Sequence, residues 1–98
     1  MDRVENKFTQ AARNYVRLTH RPLVEVGWKA NEQPESLERE IAQVALGLEV
    51  IERQEEPARR EFVNRLADRI DKSPIEVAKR RVLIHSVRVI LYEALGIS

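Results

Sequence analysis

From Ser73 to Ile97 the chain carries an apolar helix that one small domain is too small to cover. Ser73, Pro74 and Glu76 match a helix start: a capping hydroxyl, proline at the first helical position and an acid at the reciprocal capping position. Gly96 stands where a C-terminal glycine cap belongs. Between them Val82, Leu83, Ile84, Val87, Val89, Ile90, Leu91 and Leu95 point in almost every direction of a 3.6-residue wheel. A helix apolar nearly all round must be covered nearly all round. The segment predicts an all-α fold with a central hydrophobic C-terminal helix and a second chain completing its cover.

The remaining sequence must supply that cover from 98 residues, which fits one domain spanning 1–98. Cysteine is absent, so disulfides, thiolate metal sites and cysteine nucleophiles are excluded together. Small secreted domains usually depend on such cross-links, and Met1 to Glu5 offers no apolar signal core. A cytoplasmic location is the expectation. The longest apolar stretch, Val82 to Leu95, is interrupted by His85, Arg88 and Glu93 and falls short of the roughly 18 residues of a membrane span.

A net charge of +1 conceals segregation. Residues 1–33 hold six Lys/Arg against four Asp/Glu, residues 34–56 two against seven, and residues 57–98 nine against five. An acidic helix packed between basic neighbours accounts for this pattern, and so does a basic surface for a polyanion.

Prolines divide the chain into four helices. Val4, Phe8, Ala11, Tyr15 and Leu18 mark one stripe of a first helix from Asp2 to about Thr19, which Pro22 is expected to end. Residues 22–33 suit either a short helix or an extended connection anchored by Trp28. Leu37, Ile41, Val44, Leu48 and Ile51 recur at steps of four and three, the inner seam of a bundle helix from Pro34–Ser36 to about Gln54. Leu46 and Val50 lie off that seam. Pro57 opens a third helix, Ala58 to Asp71, or kinks one long rod. Its inner face is Phe62, Val63, Leu66, Ala67 and Ile70, with Glu61–Arg65 and Asp68–Lys72 as expected pairs opposite.

Catalytic chemistry finds no foothold. His20 and His85 have no metal-ligand spacing, no glycine-rich phosphate loop is present, and no acid pair has a reason for a perturbed pKa. The expectation is no enzyme, no metal and no cofactor. Three binding surfaces stand out instead. Arg3, Lys7, Gln10, Asn14, Arg17 and Arg21 form a continuous face of cations and amides that could follow a nucleic-acid backbone. Arg81, His85, Arg88 and Tyr92 line one sector of the last helix and suit a phosphorylated small molecule, a nucleotide or a partner's acids. Leu46, Val50 and Trp28 are candidate interface residues.

Residues 66–77 also resemble the helix-turn-helix pattern at Ala67, Ser73 and Val77, departing from it at Asp71, Lys72 and Arg80. The resemblance implies DNA contact through the first turns of the last helix, at Lys79, Arg80 and Arg81. The reading with most support is a small non-enzymatic binding protein, a regulator, adaptor or inhibitor acting through protein contacts as a homo-oligomer. Nucleic-acid binding and capture of a phosphorylated molecule are the alternatives.

Overall fold

A computed structural model describes residues 6–27 and 34–97. They form four helices: α1 (Lys7–Glu25), α2 (Pro34–Glu52), α3 (Glu56–Asp71) and α4 (Val77–Leu95), with no strand among the described residues. The α1 helix packs on α2 and α4, α4 packs on α3, and a smaller α2–α3 contact closes the ring. All four contribute to one buried cluster that includes Tyr15, Val16 and Leu23 of α1 and Ile41 and Leu48 of α2. Val63 and Ile70 of α3, and Leu83, Val87 and Leu91 of α4, complete its centre.

The start of α1 is set by Asn6, whose Oδ1 accepts from the backbone N–H groups of Phe8 at 3.0 Å and Thr9 at 2.9 Å. Arg3 and Val4 lie outside the described residues. Pro22 does not end the helix: α1 continues through it to Glu25. Proline inside a helix removes the bond to the carbonyl four residues back, here that of Leu18, at a cost of about 3 kcal/mol. Continuing the helix lets Leu23 become fully buried, a gain of about 1.5–3 kcal/mol that offsets much of that cost. The turn then closes from Gly27 N–H to the Val24 carbonyl at 2.9 Å, with Gly27 at φ +75°. Trp28 and the rest of the connection to residue 33 lie outside the described residues.

The α2 seam falls where its periodicity places it: Ile41, Ala45 and Leu48 are buried, and Leu37, Val44 and Ile51 pack against the cluster. Helices α2 and α3 are separate, with Pro57 in the first turn of α3. Where they meet, a Cβ on Gly47 would stand 3.2 Å from Phe62 Cζ, so glycine admits the ring. On the outer side of α3, Lys72 pairs with Asp68 at 2.8 Å and Arg60 with Glu56 at 2.8 Å. Glu61 and Arg65 form no ion pair among the described residues.

The start of α4 differs from its sequence signature. The Ser73 hydroxyl donates to the Ile70 carbonyl at 2.6 Å and so closes α3, while Glu76 caps α4. Glu76 accepts from Ala78 N–H at 3.1 Å and Lys79 N–H at 3.3 Å. Both residues can cap, and the intervening Ile75 is buried, which holds 72–76 as a tight turn. At the other end Gly96 adopts φ +67°, and Ile97 N–H reaches the Tyr92 carbonyl at 2.9 Å, folding Ile97 onto the core.

Candidate functional site

One side of α4 is buried: Leu83, Val87, Leu91, Ala94 and Leu95 face the core. The opposite side leaves Val82 65% and Val89 54% exposed. A helix with apolar residues on every sector and only two close neighbours must leave one apolar line uncovered. That line runs Ala78, Val82, His85, Val89, all exposed, at steps of four, three and four. Arg81 and Arg88 border it on one flank and Glu93 on the other, and none of the three makes an ion pair among the described residues.

A second uncovered line lies on α2. Leu46 is 62% and Val50 56% exposed, one turn apart and pointing away from the inner seam. Arg39, Leu46 and Arg53 fall at seven-residue steps, with Gln43 and Val50 beside them at the same step. Arg39 and Arg53 are exposed and form no ion pair among the described residues. Although α2 is acidic overall, the ends of this apolar pair are therefore flanked by cations.

The α1 stripe is exposed at Lys7, Gln10, Asn14, Arg17 and Arg21, and it borders two different grooves. Lys7, Gln10 and Asn14 line one of about 340 Å³ against α4, which places Glu93 opposite them. Arg17 and Arg21 line another, of about 210 Å³, against α2 together with Arg13 and His20. There Arg13 pairs with Glu38 at 3.6 Å and Arg21 with Glu25 at 3.3 Å. Gln10 donates to Asn14 at 3.1 Å, so part of the stripe's donor capacity is spent within it.

Arg81, His85 and Arg88 are exposed and Tyr92 is half-buried. Of these four, Arg88 lines a groove of about 490 Å³ between α3 and α4. Glu61, Asp68 and Asp71 share that groove with Arg65, so charges of both signs line it. Tyr92 is tied to α3 instead: the Arg60 guanidinium lies 5.6 Å from its ring centre. Arg80 turns back on the α3–α4 turn, donating from Nη1 to the Ser73 carbonyl at 3.1 Å and the Ile75 carbonyl at 3.2 Å. The bend that resembles a helix-turn-helix is thus braced by one of the three cations expected to reach DNA.

No protein-family model matches the chain, and neither a curated protein nor a solved structure is similar to it. No group of three or more His, Asp or Glu among the described residues is arranged to hold a metal, and no described helix is long and apolar enough to cross a membrane.

Val82, Val89, Arg39, Arg53 and Glu93 were not distinguished by periodicity alone. The signal for the first two was present as the second 4-3-4 line of α4, but an all-round apolar segment does not say which line the domain covers.

Proposed function

We propose that this chain is a small non-enzymatic cytoplasmic protein that works by protein–protein contact, as a self-associating regulator, adaptor or inhibitor. The observation that carries the reading is the pair Leu46 and Val50, both more than half exposed on the outer line of α2. Two large aliphatic side chains one turn apart, flanked at each end by an exposed arginine that forms no ion pair among the described residues, fit an amphipathic helix. Such a partner would present apolar residues at the same spacing, with carboxylates beyond them. Removing the two side chains from water on binding supplies affinity, and the arginines supply orientation and salt dependence.

Leu46→Asp combined with Val50→Asp is expected to abolish capture of the partner while leaving the helical circular-dichroism signal intact. Arg39→Glu combined with Arg53→Glu is expected to weaken capture, most strongly at low salt. A partner retained by both double variants would remove this face from the account.

A second reading, nucleic-acid binding through α1, is favoured by the unbroken exposure of Lys7, Gln10, Asn14, Arg17 and Arg21 along one line. It predicts affinity that falls steeply with salt and is lost on Lys7→Glu with Arg17→Glu. Binding unchanged in that double variant would leave the stripe a solvated helix face.

A further inference from the structure

The uncovered line of α4 has the spacing and chemistry of one strand of a two-stranded coiled coil. Taking Val82 and Val89 as the a positions puts Ala78, His85 and Tyr92 at d, Arg81 and Arg88 at g, and Ser86 and Glu93 at e. Of the residues facing the domain core, Leu83, Val87, Leu91 and Ala94 fall at b, c or f, and Leu95, in the last turn, falls at g beyond the Ala78–Val89 seam. The two apolar faces of α4 are therefore in different registers, one satisfied inside the domain and one open. We infer that α4 pairs in parallel with α4 of a second copy along Ala78, Val82, His85 and Val89, with Arg88 of each copy beside Glu93 of the other. The inference rests on the self-association in the proposed function and specifies its surface and register.

Three observations favour a second copy of this chain in this orientation. Valine at both a positions is the β-branched half of the pattern that favours two parallel strands, while Ala78 and His85 take the d positions. In a parallel pair the g residue meets the e residue five positions on in the partner, and here those are Arg88 and Glu93, opposite charges that form no ion pair among the described residues of one chain. An antiparallel pair centred on the same line would instead bring Arg81 of one copy near Arg88 of the other. Two heptads are too short to associate as free peptides, but α4 is already folded by its domain, so the cost of ordering it does not recur on pairing. His85 at the central d layer sets two imidazoles together, a polar layer that fixes register at some expense of affinity.

The absence of cysteine makes orientation directly readable. In a parallel pair Val82 faces Val82, so Val82→Cys is expected to form a disulfide-linked dimer under mild oxidation, while Gln54→Cys, exposed in the α2–α3 connection and not on α4, stays largely monomeric as a collision control. Val82→Glu, on an exposed position, should keep the helical signal and lose the dimer. Arg88→Glu and Glu93→Arg should each weaken the homodimer, and an equimolar mixture of the two should recover it. His85→Leu should tighten it about tenfold.

If Val82→Cys cross-links only when mixed with His85→Cys, the pairing is antiparallel and the register is wrong. If the unmodified chain is a dimer that Val82→Glu leaves intact, self-association stands and this surface is overturned. If the unmodified chain is monomeric up to about 1 mM, both the pairing and the self-association in the proposed function fail.

Discussion

Arg80 Nη1 lies 3.1 Å from the Ser73 carbonyl oxygen, spanning the turn that joins α3 to α4. A second bond at 3.2 Å to the Ile75 carbonyl makes the guanidinium a bracket for 73–75, whereas its approach to Asp71, 4.0 Å from Nε, is marginal. Charge-assisted bonds to partly buried carbonyls outweigh a loose surface ion pair. Arg80→Ala is therefore expected to lower unfolding stability by about 1–2 kcal/mol and Asp71→Asn by less than about 0.5 kcal/mol. Arg80→Lys should fail to rescue, because an ammonium lacks the planar fork. Denaturant titration of the three variants checks the order.

Pro22 sits within α1, and Leu23 directly behind it is fully buried. Pro22→Ala restores the N–H that can bond the Leu18 carbonyl and should raise stability by about 1–3 kcal/mol. Leu23→Ala should lower it by about 2–5 kcal/mol. Thermal melts of both variants test whether burial or backbone preference sets the length of α1.

This helix shows where the sequence was readable and where it was not. The inner seam of α2 was legible because Leu37, Ile41, Val44, Leu48 and Ile51 repeat without competition from any local signal. The end of α1 was not, because the aversion to helix before proline is a local preference, and the burial of Leu23 is a tertiary gain that offsets much of its cost. At the start of α4 two capping residues, Ser73 and Glu76, stand three positions apart, and only the burial of Ile75 decides between them. On the candidate surfaces, Leu46 and Val50 were visible as residues off a clear seam. Val82 and Val89 were hidden in a segment where every sector is apolar.

Glu76 is held below the usual glutamate range, first by the N–H groups of Ala78 and Lys79 and then by the nearby Arg80 charge. A carboxylate whose folded pKa is depressed contributes stability above its unfolded value, about 4.3, and loses it as pH falls through the folded value. Glu76→Gln is expected to melt below the parent at neutral pH, with the difference shrinking toward zero in acid. Melting temperature against pH for both proteins shows whether the two curves converge below about pH 4.

The two sides of α4 should respond in opposite ways to truncation. Leu91 is fully buried, and Leu91→Ala should cost about 2–5 kcal/mol of folding stability. Val82→Ala should leave the folding of the isolated domain within about 0.5 kcal/mol, as expected for an exposed position, and should weaken association. Stability measured in dilute solution, beside association measured in concentrated solution, separates the two effects.

Light scattering on size-exclusion fractions of the unmodified chain, loaded over about 1 μM to 1 mM, tests the central claim most directly. A chain that pairs through α4 shows a mass that rises with concentration toward twice the 11.4 kDa of one chain. A mass fixed at 11.4 kDa throughout that range would contradict that pairing and leave the exposed valines of α4 without a partner.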